Sequence, residues 1–290
     1  KKSLVIFQQN GDSPANRYSI SLTLNSLGTA YASLREYQSA FKYFEQSLAI
    51  AKQIDDKAGE SRVLTNIGGI YFSLGDYQKS IELYEQSLAI AQKIGNIRGE
   101  VFAVSGLGVT YFALGDYQKA IKFHQQELKI AQQIGDIPSQ SLALANLGMT
   151  YRSLGQYKTA IDFHQQSLAI GQKIGNTEIV GKALGNMGFT YEFLGDYKKA
   201  IELHQQSLAI FEKNDDSVSI GRAFSGIASA YRYFGDYGKA IEFSQKFLAI
   251  AQKIGDRNDE GSALNNLGVA LFDSGNLAKA EATLYKAVKV

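Results

Sequence analysis

The 290 residues contain no cysteine, which excludes disulfides, thiolate metal sites and a cysteine nucleophile. That absence suits the cytoplasm, where the chain is expected to reside. Long apolar runs are missing too. The run at the start, Leu4 to Phe7, is too short for the core of a signal peptide, and none is long enough to span a bilayer, so no membrane partner is expected. Nor is there an excess of charge of one sign. Thirty Lys and Arg against 28 Asp and Glu leave +2, which offers no electrostatic case for a nucleic-acid partner or a membrane surface. Histidine occurs three times and tryptophan not at all.

What is abundant is self-similarity. Asn66 to Ala91, NIGGIYFSLGDYQKSIELYEQSLAIA, returns as Gly106 to Ala131 and again as Asn146 to Gly171, each time forty residues on. A fixed period of this size marks a solenoid, which grows by adding units and not by enlarging one core. Tyr31, Tyr71, Tyr111, Tyr151, Tyr191 and Tyr231 keep that spacing, and Leu271 takes the seventh place. Within one unit the apolar residues Leu64, Ile67, Tyr71 and Leu74 recur at steps of three and four, as do Tyr77, Ile81, Tyr84, Leu88 and Ala91. Each unit is therefore two amphipathic helices, and the fold class is all-α.

Between the two helices sits Leu-Gly-Asp-Tyr. Its glycine (Gly75, Gly115, Gly155, Gly195, Gly235, Gly275) can take the left-handed conformation that ends a helix, and Asp76, Asp116, Asp196 or Asp236 can cap the next. Arg35 breaks the glycine column, and Gln156 and Asn276 vary the capping column. Gly95-Asn96, Gly135-Asp136, Gly175-Asn176 and Gly255-Asp256 apply the same chemistry between units; Asp55-Asp56 and Asn214-Asp215-Asp216 lack the glycine, which predicts less regular joints there. Residues 1–12 match the end of a second helix, the joint after them is four residues longer than its counterparts and is expected to be the most irregular, and complete units fall near 17–56, 57–96, 97–136, 137–176, 177–216 and 217–256, with 257–290 a truncated last one. The reading is of a single solenoid over residues 1–290, cut from a longer repeat protein.

The columns Ile67, Gly68, Tyr71, Gly75, Ser80 or Ala120, Tyr84 and Ser87 resemble the tetratricopeptide repeat in a long, forty-residue form, over essentially the whole chain. The wording of the repeat is similar to that of the Leu-Gly-Asn spindle-orientation adaptors and to bacterial, especially cyanobacterial, tetratricopeptide arrays; the low divergence between units favours the bacterial ones. The resemblance implies a right-handed superhelical α-solenoid of antiparallel helix pairs, with first helices lining a concave face. The family's tryptophan column is Leu24, Leu64, Val104, Leu144, Leu184, Phe224 and Leu264 here, and its terminal proline is missing, so second helices should run on through Ile94 or Ile134. Glycines inside the first helices (Gly28, Gly68, Gly108, Gly148, Gly188, Gly268) each cost about 0.5–1 kcal/mol relative to alanine. Close approach of helix backbones would offset that, with Ala40, Ser80, Ala120, Ala160, Ala200, Ala240 and Ala280 as the matching small column.

The resemblance also maps the ligand-facing columns, and these vary between units while the packing columns do not. They carry Arg62, Phe72, Phe102 and Phe112 in the N-terminal half and Met149, Arg152, Lys182, Phe189, Arg222 and Arg232 later, with Asn66, Asn146 and Asn186 beside them. A protein or peptide with apolar anchors and some acidic residues fits such a surface. The competing reading of Phe72 and Phe112 is packing between first helices, and that of the asparagines is hydrogen bonding across neighbouring helices. His124, His164 and His204 share one column with Phe44, Tyr84 and Ser244, which reads as a packing position and not as a metal ladder. Gly106-Leu107-Gly108 follows no strand, so it is no phosphate cradle. No catalytic set converges, and neither cofactor nor metal is expected. The chain reads as a protein-interaction scaffold, not an enzyme; the alternative is a structural spacer that self-associates end to end.

Overall fold

The computed structural model describes residues 13–290, and the reading of residues 1–12 as the end of a second helix lies outside the described residues. Those described form fourteen α-helices and no strand. They come in pairs: α1 (Pro14–Ser33) with α2 (Tyr37–Gln53), α3 (Lys57–Ser73) with α4 (Tyr77–Lys93), α5 (Ile97–Ala113) with α6 (Tyr117–Ile134). The series continues with α7 (Ile137–Ser153) and α8 (Tyr157–Ile174), α9 (Thr177–Leu194) and α10 (Tyr197–Lys213), α11 (Ser217–Phe234) and α12 (Tyr237–Ile254), α13 (Arg257–Asp273) and α14 (Leu277–Lys289). The chain divides into two compact units, the first ending at Ala143 and the second running from Leu144 to Val290.

The caps explain why the helices stop where they do. Asp76, Asp116, Asp196 and Asp236 each accept the backbone N–H three residues on, at Lys79, Lys119, Lys199 and Lys239. Glu36, Gln156 and Asn276 make no such bond. The hairpin glycines all have positive φ, such as +79° at Gly75 and +91° at Gly235.

Two expectations are corrected. The joints without glycine are as regular as the others, because Asp55 (φ 55°) and Asp215 (φ 53°) take the left-handed conformation themselves, and so does Arg35 (φ 60°) in its hairpin. Asp56 N–H reaches Ala51 O at 2.8 Å just as Asn96 N–H reaches Ala91 O at 2.9 Å. The extra residues of the first joint, from Pro14 on, are not a loop but lengthen α1 to 20 residues, begun by Ser13 as cap and proline in the first turn. Second helices end within a residue of expectation: α6 includes Ile134, whereas Ile94 is the residue that caps α4.

From α1 to α6 and from α9 to α14 a first helix packs on its own partner and the partner on the next first helix, and α8 packs on α9. Successive first helices also touch, α1 with α3 and α3 with α5, α9 with α11 and α11 with α13, whereas these second helices make no contact with one another among the described residues. The core is thus a thin layer of apolar columns. Val63, Val104, Leu107, Leu144, Leu147 and Ile227 are sealed from water, each such side chain stabilising by about 1.5–3 kcal/mol.

The small column on the second helices, Ala40, Ala120, Ala160, Ala200 and Ala240 with Ser80, is fully buried. The glycines meet the rings. A Cβ on Gly28 would stand 2.6 Å from the Phe44 ring, on Gly108 2.4 Å from His124, on Gly148 2.2 Å from His164 and on Gly188 2.7 Å from His204. Each glycine is therefore the socket for a large side chain one helix on. Where the socket has filled, as at Ala228, the ring column has shrunk to Ser244.

Candidate functional site

The variable columns lie along the first helices. Arg62 and Arg222 are exposed there; Asn66, Phe72, Phe112, Asn146, Met149, Arg152, Asn186, Phe189 and Arg232 are half-buried. Their depth follows from a rule the geometry makes visible. A residue at the end of a first helix lies over the ring column twelve positions later, so Phe72 shares a cavity with Tyr84 and Glu192 bonds His204.

In the first unit the surface is apolar. A cavity of about 250 Å³ is walled by Phe72, Phe102 and Val109, with Thr65 and Ser105 on its rim and Tyr84 as its floor. Gly106 opens it, since a Cβ there would lie 2.4 Å from the Tyr84 ring. Burial pushes the Tyr84 phenol up to about 12. Phe72 and Phe112 each lean on the first ring of their own second helix, Tyr77 or Tyr117, at 5.6 Å between ring centres. Phe102 stands free, 62% exposed. Asn66 donates its Nδ2–H to Asn25 Oδ1 at 2.9 Å, a bond from one first helix to the next.

In the second unit the same columns hold charge and aromatics. The Arg152 guanidinium lies over the rings of Phe193 (5.4 Å) and Phe189 (6.0 Å), and the Phe189 ring meets His204 edge-on at 4.6 Å. Burial lowers the Arg152 pKa, opposed by the charge of Glu192. Glu192 is nearly buried and joins three helices: its Oε1 lies 2.9 Å from His204 Nε2, and its Oε2 accepts the Ser229 hydroxyl proton at 2.7 Å. Arg232 donates to Asp273 Oδ2 at 3.1 Å and covers the Tyr233 ring. Asn266 donates to Ser225 Oγ at 3.1 Å, the counterpart of the Asn66 bond, while Asn146 Nδ2 is buried without a hydrogen-bond partner. Asn186 offers its carbonyl to the Thr190 hydroxyl.

Glu192, His164, His204 and Phe193 are the residues whose part sequence reasoning missed. Glu192 and His204 could have been paired from the columns, given the twelve-residue offset. All three histidines are buried, and His124 Nδ1 lies 3.2 Å from Glu127 Oε2. Burial first, and then the charge of Arg152, hold the His164 imidazole at about 3. Among the described residues no three His, Asp or Glu side chains come together as metal ligands would, and no helix is long and apolar enough to cross a membrane.

Solved structures share this architecture at low identity. An aspartyl phosphate phosphatase F from Bacillus subtilis is 19% identical, over 95% of this chain and 70% of that one, with a TM-score of 0.74. A STAND signal-transduction ATPase with a tetratricopeptide repeat sensor, from Pyrococcus horikoshii, is 18% identical over 94% of this chain and 44% of its own, with a TM-score of 0.69. A Rap protein complexed with competence and sporulation factor is 18% identical over 96% and 79%, with a TM-score of 0.66. At such identities the likeness establishes the fold alone. No curated protein matches the sequence. The tetratricopeptide-repeat profile matches residues 19–93, 100–173, 139–213, 180–253 and 219–290, and with the hairpins, sockets and caps described above it shows that the chain belongs to the tetratricopeptide repeat family.

Proposed function

We propose that the chain is a protein-interaction module that holds a partner segment along the uncovered side of its first helices. The observation that carries the reading is the confinement of variation: caps, sockets and alanine columns repeat, whereas the stripe changes from Phe72, Phe102 and Phe112 to Arg152, Phe189, Glu192 and Arg232. An open apolar cavity over Tyr84 beside the exposed Phe102 ring suits a large apolar side chain of an extended or helical peptide. The Rap complex with competence and sporulation factor, and the tetratricopeptide repeat sensor of the STAND protein, lend the fold precedent for such work. Partner capture from the native host, followed by affinity measurement with Phe72→Ala, Phe102→Ala and Phe112→Ala together, tests it. Binding weakened at least about tenfold, or about 1.4 kcal/mol, is expected; unchanged affinity in a folded variant would remove the groove from the function.

One feature favours a second reading, self-association through the last helix, where Tyr285 is 62% and Val288 86% exposed. Sedimentation at rising concentration distinguishes it: a strict monomer throughout ends that reading.

A further inference from the structure

The second unit solves one problem twice, and the two solutions differ by a carboxylate. His204 and His164 are one repeat apart, both fully buried, and both present the Nδ1–Cε1–Nε2 edge of the ring to a glycine socket, Gly188 and Gly148. Above His204 stands Glu192, whose Oε1 lies 2.9 Å from Nε2. At the same twelve-residue offset before His164 the sequence has Arg152, whose charge is felt at the His164 imidazole and which has no acceptor to offer. Both His164 ring nitrogens are accordingly buried without a hydrogen-bond partner. Leaving such groups unpaired costs about 1–3 kcal/mol each, so the site holds an unmet demand for an acceptor.

Arg152 carries a demand of its own. It forms no hydrogen bond or close ion pair among the described residues; the aromatic faces of Phe189 and Phe193 hold it, and Glu192 attracts it only at a distance. A guanidinium that lies over aromatic faces and makes no hydrogen bond keeps its N–H donors free for a planar anion.

We propose that Arg152 and His164 form a receptor for one carboxylate side chain, Asp or Glu, of a bound partner segment. The incoming carboxylate takes over at His164 the place that Glu192 holds at His204: one oxygen accepts from the guanidinium and the other from the imidazole Nε2–H, with Phe193 as an apolar wall 63% open to solvent. Glu192 blocks the equivalent place one repeat on, so a single acidic residue is read at this point of the stripe, not a run of them. This deepens the proposed groove function and rests on it for the biological ligand, but the receptor can be tested without a partner.

The test uses the full chain and acetate as the side-chain probe, in place of chloride at a constant ionic strength of about 0.15 M, where the Debye length is about 8 Å and surface attraction is screened. The ring C–H resonances of the three histidines are read by NMR at neutral pH, with His164→Gln supplying the assignment. Acetate is expected to move the His164 resonance in a saturable way and to leave His124 and His204 in place; Arg152→Gln should weaken that response at least about tenfold. Arg152→Glu supplies the carboxylate from within, so its His164 resonance should resemble that of His204 before any acetate is added, and acetate should no longer move it. Equal drift of all three histidines, an unaltered response in Arg152→Gln, or an unmoved His164 resonance in folded Arg152→Glu each overturns the receptor. A chain that captures its partner through the Phe72, Phe102 and Phe112 surface yet ignores acetate refutes the receptor and leaves the groove standing.

Discussion

Replacing Gly148 by alanine sets two well-known effects against each other. In a helix interior alanine is better than glycine by about 1 kcal/mol. The new Cβ, however, would stand 2.2 Å from His164 Cε1 and 2.6 Å from both ring nitrogens. His164 is wholly buried, so its ring has nowhere to retreat, and overpacking of this kind costs about 1–3 kcal/mol. The clash is at the severe end of that range and should win, leaving Gly148→Ala less stable by about 1–2 kcal/mol. In a His164→Ser background the obstacle is gone, and the same substitution should stabilise by about 1 kcal/mol. The chain already contains that pair: Ala228 stands over Ser244, whose hydroxyl donates to Ala240 O at 2.8 Å. The four proteins of the cycle are compared by urea unfolding, with amide exchange along α7 and α8 to localise the change, because repeat arrays open locally. A coupling energy of about 2–3 kcal/mol is expected from the sum of the two effects. A Gly148→Ala variant that is stabilised in both backgrounds, or destabilised equally in both, would refute the socket argument.

Three further outcomes follow. Glu192→Ala and Ser229→Ala should be non-additive by about 1 kcal/mol, because each removes the hydrogen bond seen at 2.7 Å; simple additivity in a double-mutant cycle would show that the bond contributes nothing. The His164 imidazole, whose value falls from an ordinary 6.5 to about 3 on folding, makes stability pH-dependent. Between those values the unfolded chain binds a proton that the folded chain refuses, so stability is whole above about 6.5 and declines as pH drops toward about 3, by up to roughly 5 kcal/mol. Urea midpoints of wild type and His164→Ser across that range should converge as pH falls; parallel curves contradict it. Arg35→Gly relieves a left-handed arginine at φ 60°, and after the greater entropy of unfolded glycine is subtracted it should stabilise by about 0.5–1 kcal/mol, seen as a raised melting temperature.

The hairpins, their caps and the period were legible in the sequence because each is local: spacing of three and four makes a helix face, and Gly followed by Asp makes a stop and a start. The partner of each column was not legible. Gly148 and Ala160 both read as small residues awaiting close backbone contact, and only the packing of one helix on the next shows that Gly148 receives the His164 ring. The joints at Asp55 and Asp215 were misjudged because aspartate enters the left-handed region at modest cost, which a rule built on glycine overlooks. Arg152 reads in the sequence as one ligand-facing residue of the stripe; its place over two aromatic rings depends on Phe189 and Phe193, a repeat further on.

The regularity of the joints has a consequence for how such a chain can change length. Ten left-handed glycines, with Arg35, Asp55 and Asp215 in the same conformation, give every splice point one backbone geometry. Insertion or loss of a forty-residue segment in register would join surfaces the molecule already knows how to pack. The exceptions mark where such an exchange would be felt: Glu127, set against His124 where sister units have serine, phenylalanine or alanine, and Glu192, bonded forward to Ser229, each bind a unit to its own particular setting. Gene conversion between repeats should therefore be tolerated across most of the array and selected against at those two carboxylates.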